Sequence, residues 1–211
     1  MEPEIVIGIS GPAGAGKDTL CQILQILLPD ACLAHTGKII AKLTGGLDKQ
    51  AQQAKFLEMK AERGRNWLHE PIREAWGGSG KTTWVLNSVR MIWDAEWVES
   101  FPNHMLIFVD APEKIRFGRA KKRATLGGAD AKADEKNMTY GEFLKSEQHE
   151  TARAVYSVGK RRGVIKIKND KTPKGLGAQI IAILLNKKVI TTPDPVTREK
   201  LRKLYRKLAP R

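Results

Sequence analysis

The sequence has little cysteine and no long hydrophobic run, and these absences exclude several classes of protein. Cys21 and Cys32 are the only cysteines in 211 residues, too few for a disulfide-stapled secreted fold. The apolar stretches fall well short of the ~20 residues that a membrane-spanning helix needs. Residues 1–5 also lack the basic and apolar parts of a signal peptide. We therefore expect a cytoplasmic protein without an integral membrane segment.

The sequence also lacks the clustered ligands of a protein-bound zinc site. It has no CxxC or HExxH motif, and its four histidines are scattered. It is rich instead in positive charge, because 37 Lys and Arg against 23 Asp and Glu give a net charge of +14. Residues 187–211 hold half of this excess, since their nine Lys and Arg face only two acids. Such a basic chain suits phosphate-rich ligands, and its tail is a candidate contact for nucleic acid.

Short apolar runs alternate with helical patterns, which predicts a parallel sheet with crossover helices on both faces. The predicted strands are residues 4–10, 31–34, 84–89, 105–110 and 163–167. We predict one domain over residues 1–186, followed by the basic tail at 187–211. Within the tail, residues 196–208 can form an amphipathic helix with Leu and Tyr on one face.

The segment with the clearest chemistry follows the first predicted strand and opens the first predicted helix. It reads Gly11-Pro12-Ala13-Gly14-Ala15-Gly16-Lys17-Asp18-Thr19, close to the pattern GxxxxGK[ST] in the context that this pattern requires. Glycines let backbone N–H groups turn toward phosphate, and the helix N-terminus adds a favourable dipole. Lys17 is placed to offset charge on the β- and γ-phosphates of ATP. Asp18 stands where Ser or Thr usually binds Mg²⁺, so Asp18 and Thr19 are alternative metal ligands.

A second segment, Gly77-Gly78-Ser79-Gly80-Lys81-Thr82, looks similar but is interpreted as an ordinary loop. Ala75 stands where the first glycine of the motif is required. The segment also precedes a predicted strand, whereas a phosphate-binding loop follows one.

Several further segments, in sequence order, extend a resemblance to the nucleoside monophosphate kinase-like group of P-loop kinases over about residues 4–185. This group includes adenylate kinases, phage-type deoxynucleotide kinases and dephospho-CoA kinases. The matching segments are residues 35–38, 85–90, 109–112 with Arg116, Arg119 and Arg123, 139–144 and 167–169. The resemblance implies an α/β fold of the P-loop NTPase type, three-layer α/β/α with a parallel five-stranded sheet. It also implies a helical acceptor-binding insert near residues 36–80 and a lid near residues 124–138.

The resemblance further implies ATP and Mg²⁺ as cofactors and a small nucleotide as the substrate. It implies catalytic roles for Lys17, Arg119 and Arg123, and it places Asn169 near the donor base. The candidate acceptor-binding residues are Thr36, Gly37, Arg73 and Arg90. Arg90 is also favoured by its position at the end of a predicted strand, where ligands bind in open α/β sheets.

Departures from the group leave the acceptor open. Lys38 stands where the group often has Asp, and Asn87 stands where archaeal relatives have an Asp on the third strand. His35 and Thr36 occupy the place of the catalytic Asp of dephospho-CoA kinases. We expect γ-phosphoryl transfer to a (deoxy)nucleoside monophosphate, with a dephospho-CoA kinase-like enzyme as the alternative. A polynucleotide end kinase and a non-catalytic ATP-binding regulator are further alternatives.

Overall fold

A computed structural model describes residues 2–43, 45, 49–126 and 137–208 as a five-stranded sheet with its connecting helices. The strands are β1 (Ile5–Ser10), β2 (Ala31–His35), β3 (Thr83–Val89), β4 (His104–Asp110) and β5 (Ile165–Lys168). The helices in these ranges are α1 (Lys17–Leu27), α2 (Thr36–Leu43), α3 (Lys49–Arg63), α4 (His69–Gly77), α5 (Ile92–Glu99), α6 (Glu113–Leu126), α7 (Tyr140–Glu147), α8 (Glu150–Gly159), α9 (Pro173–Asn186) and α10 (Pro195–Leu208). None of these helices is both long enough and apolar enough to cross a bilayer.

The strands form one parallel sheet in the order β2-β3-β1-β4-β5, which confirms the predicted five-stranded sheet. The central strand β1 pairs with β3 on one side, where Ile7 opposes Val85, and with β4 on the other, where Ile7 opposes Met105. Because the strands are parallel, all their carboxyl ends lie at one edge, where open α/β sheets bind ligands. The loop after β1 leaves the sheet at the middle of this edge.

Two hydrophobic clusters cover the two faces of the sheet, and alternate strand residues enter each cluster. Ile7, Ile9 and Ile107 point into the first cluster, which also contains residues of α1 and α9. Val6 and Leu106 point into the second cluster with residues of α4 and α5. This arrangement gives the three layers of the predicted fold.

Helix α10 packs against the first cluster and confirms the helix predicted at residues 196–208. Leu201 is 4% exposed within that cluster, and Leu204 and Tyr205 pack beside it. The approach to α9 is close, because a Cβ atom at Gly177 would lie 1.9 Å from Tyr205 Oη. The basic tail therefore contributes one helix to the main core.

We expect Leu201→Ala to lower the free energy of unfolding by about 2 to 3 kcal/mol, because the substitution leaves a cavity between α10 and the core. Val196 on the same helix is 65% exposed, and Val196→Ala is expected to change the free energy by about 0.5 kcal/mol or less. Urea unfolding followed by circular dichroism measures both. Equal effects at the two positions would show that α10 does not belong to the folded core.

Candidate active site

The loop between β1 and α1 has the winding that a phosphate-binding loop needs. Gly11, Gly14 and Gly16 have φ angles of 140°, 73° and 104°, in the left-handed region that favours glycine. Gly16 is also the N-cap of α1, and a Cβ atom there would lie 2.1 Å from Asn169 Nδ2. Glycine is thus required at position 16 both for backbone conformation and for contact with the loop after β5.

Lys17 lies in the first turn of α1 and folds back over the loop. Its Nζ donates hydrogen bonds to the carbonyl oxygens of Gly11 at 2.8 Å and Pro12 at 3.0 Å, and the residue is only 8% exposed. A buried ammonium group is therefore held beside the loop, where the loop's N–H groups and the dipole of α1 also favour anions. The predicted role of Lys17 is consistent with this position.

Asn169 joins the end of the sheet to the phosphate-binding loop. Its backbone N–H donates to the carbonyl oxygen of Asp110 at 2.7 Å, and its Nδ2 donates to the carbonyl oxygen of Ala15 at 2.7 Å. The residue is 5% exposed. Asn169 therefore supports the loop that was predicted to lie at the donor site.

Arg119 of α6 also contacts both the phosphate-binding loop and the residue after β5 that supports it. Its Nη2 donates to the carbonyl oxygen of Asn169 at 2.8 Å, and its Nη1 lies 3.3 Å from the carbonyl oxygen of Gly14. Burial lowers the pKa of Arg119, and the nearby charge of Asp170 raises it. The ordinary pKa of arginine is so high that the guanidinium stays charged, so α6 places a cation beside the loop.

Arg116, one turn earlier on α6, is a buried support of the loop. It is 1% exposed, and its Nη1 pairs with the carboxylate of Glu147 on α7. The same guanidinium donates to the carbonyl oxygens of Ala111 at 3.0 Å and Ala13 at 3.1 Å. Arg116 thus ties the outside of the phosphate-binding loop to α7.

The predicted lid is described only at its two ends. Arg123 is partly buried near the end of α6, and it has an interaction partner. Residues 127–136 lie outside the described residues. The lid at 124–138 therefore stays a prediction, together with the role of Arg123 in it.

Asp18, Asn87 and His35 form a hydrogen-bonded chain at the carboxyl edge of the sheet. Asn87 Nδ2 donates to Asp18 Oδ1 at 2.7 Å and lies 2.9 Å from His35 Nδ1. The amide must present nitrogen to Asp18, because its oxygen would face a carboxylate oxygen at that distance. The same amide nitrogen faces His35 Nδ1, and Nδ1 is assigned from this geometry as the acceptor of its second N–H group.

The donor set at this edge fits magnesium held mainly by phosphates. Mg²⁺ usually keeps several waters and binds one or two carboxylates plus substrate phosphates. Asp18 supplies one exposed carboxylate at the loop, whereas the described residues contain no cluster of three or more His, Cys, Asp or Glu that could hold a metal. Of the two predicted ligands, Asp18 has its oxygen positioned by Asn87, and Thr19 has no such contact in the described structure.

The predicted acceptor residues lie around the ends of β2 and β3. Thr36 begins α2, and its Oγ1 donates to the carbonyl oxygen of Asn87 at 2.9 Å. Gly37 faces open space, because no atom lies within 4 Å of a Cβ built there. Arg73 is exposed on α4, beside the buried residues Ile72 and Trp76 of that helix.

Arg90 directly follows β3 and is the best-placed acceptor candidate. Burial lowers its pKa, and the nearby charge of Glu147 raises it. Among the described residues, no hydrogen bond or ion pair is made by this guanidinium, although it is partly buried. A partly buried guanidinium group that makes no hydrogen bond within the described part of the chain is suited to an anionic ligand such as phosphate.

The glycine-rich segment at residues 77–82, interpreted above as an ordinary loop, lies away from the candidate active site. Lys81 Nζ donates to the carbonyl oxygens of Pro29 at 3.2 Å and Ala31 at 3.4 Å, before the start of β3. Since Ala31 begins β2, this lysine lies at the amino edge of the sheet, opposite the phosphate-binding loop. The interpretation of residues 77–82 as an ordinary loop is confirmed.

No family model matches this sequence, and no curated protein matches it. Among solved structures, a sugar kinase from Janibacter sp. is similar, with a TM-score of 0.55 and 17% identity over 90% of this chain and 99% of that chain. A shikimate kinase from Bacteroides thetaiotaomicron also has a TM-score of 0.55, with 13% identity over 86% of this chain and 98% of that chain. At such low identity the likeness establishes the fold, a three-layer α/β/α P-loop arrangement, and not the activity.

Proposed function

We propose that this protein is an ATP-dependent phosphotransferase that moves the γ-phosphoryl group of ATP to a small, phosphate-bearing, nucleotide-like acceptor. The observation that carries this proposal is the pair of partly desolvated cations after two adjacent strands. Lys17 begins α1 directly after the loop that follows β1, and Arg90 directly follows β3. Two anionic substrates can meet between them, and phosphoryl transfer depends mainly on such positioning and charge neutralisation.

On the donor side, the loop N–H groups and Lys17 bind the phosphates of ATP. Arg119 and Arg123 of α6 supply further positive charge for the transferring group, and Asn169 supports the loop. Mg²⁺, when bound, supplies charge neutralisation at the phosphate oxygens, and Asp18 is the residue proposed to hold it. Asn87 keeps the Asp18 carboxylate in place through the 2.7 Å hydrogen bond.

On the acceptor side, the state of His35 favours a phosphate over a hydroxyl acceptor. A hydroxyl acceptor is commonly activated by a general base, which needs an unprotonated atom within hydrogen-bond reach of the proton that it removes. His35 Nδ1 lies 2.9 Å from the Asn87 amide nitrogen, so this ring nitrogen is already engaged and is poorly placed to take a proton from a hydroxyl. A phosphate acceptor needs no such base, because its oxygen is already anionic, and Arg90 can bind it with two parallel hydrogen bonds.

A panel of acceptors tests the proposed function. ATP consumption with Mg²⁺ would be measured with ribo- and deoxynucleoside monophosphates, dephospho-CoA and a 5′-hydroxyl oligonucleotide. We expect turnover on a monophosphate, and we expect Arg90→Gln to raise its KM by roughly 10- to 100-fold through loss of charged hydrogen bonds. Arg73→Gln is the matched control, because Arg73 is exposed and is the weaker acceptor candidate.

Each other result of the panel identifies a different function. Turnover only on dephospho-CoA or on the oligonucleotide would replace the nucleoside monophosphate with a hydroxyl acceptor. Tight ATP binding without turnover on any acceptor would favour a non-catalytic regulator. An unchanged KM in Arg90→Gln would remove Arg90 from the acceptor site, whereas a rise in Arg73→Gln as large as that in Arg90→Gln would place both arginines there.

A further inference from the structure

Trp93 differs from the other four tryptophans of the chain. Three of them, Trp67, Trp76 and Trp84, are buried in the second hydrophobic cluster, and Trp97 packs against that cluster. Trp93 is partly buried but belongs to neither cluster in the part of the chain that the structure describes. Packing within these two clusters therefore does not account for its large apolar ring.

The ring of Trp93 lies under a lysine of the helical insert between β2 and β3. Nζ of Lys60 on α3 lies 4.9 Å from the ring centroid, whereas the ring makes no ring–ring contact with any other described residue. Beside it, Ile92 is 37% exposed. An aromatic face, an exposed aliphatic side chain and a removable cation thus lie together at the start of α5.

This apolar patch adjoins the cation that we assign to the acceptor phosphate. Arg90 precedes Trp93 by three residues, so their Cα atoms are at most about 11 Å apart. Arg90 directly follows β3, where the charge of Glu147 is nearby, and Trp93 contacts Lys60 of α3. A ligand with a phosphate at one end and a flat ring at the other could contact both residues at once.

We propose that Trp93 is the stacking platform for a planar aromatic ring of the acceptor, which makes the acceptor a nucleotide and not an alicyclic or open-chain phosphate. The proposal rests on the proposed function, because it takes Arg90 as the site of the acceptor phosphate. Lys60 covers the ring face through a cation–π contact, and the entering base replaces it. Stacking of a base on an aromatic side chain generally contributes more than a cation–π contact near the protein surface, so the exchange is favourable.

Calorimetric titration tests the proposal independently of catalysis. AMP, GMP, CMP and dTMP would be titrated into the full chain with ADP present to fill the phosphate-binding loop, and ribose 5-phosphate would serve as the probe without a base. We expect at least one nucleotide to bind more tightly than ribose 5-phosphate. Trp93→Leu should weaken nucleotide binding about 5- to 100-fold and leave ribose 5-phosphate binding within about twofold.

Two further variants separate stacking from other roles. Trp93→Phe should retain most of the nucleotide affinity that Trp93→Leu loses, because a phenyl ring still stacks. Lys60→Ala should not weaken nucleotide binding, because it only uncovers the ring face. Unchanged melting temperatures in all three variants would confirm that the core is intact, as the position of Trp93 outside both clusters predicts.

Several outcomes would overturn the proposal. One is equal affinity of the wild-type protein for nucleotides and for ribose 5-phosphate. Another is a Trp93→Leu variant that binds nucleotides as tightly as the wild type. A third is a loss of nucleotide affinity in Lys60→Ala as large as that in Trp93→Leu. Phosphoryl transfer that needs Lys17 and Arg90 but uses an acceptor without a ring would refute the stacking role and keep the proposed function. Trp93-dependent nucleotide binding without phosphoryl transfer would refute the proposed function and keep the stacking role.

Discussion

Replacing Lys17 with alanine is expected to lower kcat for phosphoryl transfer by roughly 10²- to 10³-fold, the effect of removing one preorganised charged donor from an active site. The ammonium group is held by the carbonyl oxygens of Gly11 and Pro12 in a nearly buried position. It therefore needs little reorganisation to neutralise charge on the leaving and transferring phosphates. Steady-state turnover and ATP affinity would be measured on the same preparations.

Lys81 provides a matched control for this prediction. It follows a Gly-Gly-Ser-Gly segment as Lys17 follows its own glycine-rich loop, but it binds the carbonyl oxygens of Pro29 and Ala31 at the opposite edge of the sheet. Lys81→Ala should leave kcat within about twofold of wild type. A Lys17→Ala protein that turns over normally, or an equal loss in Lys81→Ala, would refute the assignment of the phosphate-binding loop.

The second large effect concerns stability. Arg116→Met is expected to lower the free energy of unfolding by about 3 to 5 kcal/mol, because it removes the direct ion-pair partner of the nearly buried Glu147 carboxylate. The side chains of Arg116 and Glu147 are 1% and 11% exposed. The carbonyl oxygen of Ala13 also loses its donor, so the outside of the phosphate-binding loop is loosened at the same time.

A double-variant cycle distinguishes the ion pair from simple loss of packing. Glu147→Leu combined with Arg116→Met removes both charges, and we expect this protein to be more stable than the Arg116→Met protein alone. Guanidinium unfolding curves for the two single variants, the double variant and the wild type give the coupling energy. Strictly additive effects would show that the contact between the two groups contributes nothing to stability.

The sequence predicts the sheet and the phosphate-binding loop because both depend on local patterns. Apolar runs of strand length mark all five strands, and the glycine spacing before Lys17 specifies the loop between β1 and α1. The helix at 196–208 is equally local, since its apolar positions recur at helical spacing.

The contacts that position the site depend instead on long-range registers that a single sequence does not reveal. Arg116 shares a helical face with Arg119, and from the sequence it could be read as a ligand-binding or a solvent-exposed residue. Its partner Glu147 lies 31 residues away in another helix. The bond between Asn87 and Asp18 likewise spans 69 residues, and it arises only because β1 and β3 are neighbours in the sheet.

The packing of α10 on α1 has a consequence for how the chain folds during its synthesis. The apolar face of α1 is made early, but Leu201 and Tyr205 cover part of it only after nearly the whole chain has been translated. At synthesis rates of about 5 to 20 residues per second, this part of the apolar face of α1 stays uncovered for roughly 10 to 30 s before α10 is made. Nascent chains paused before Pro195 should therefore still bind chaperones through this uncovered surface, and release of the last helix should end that binding.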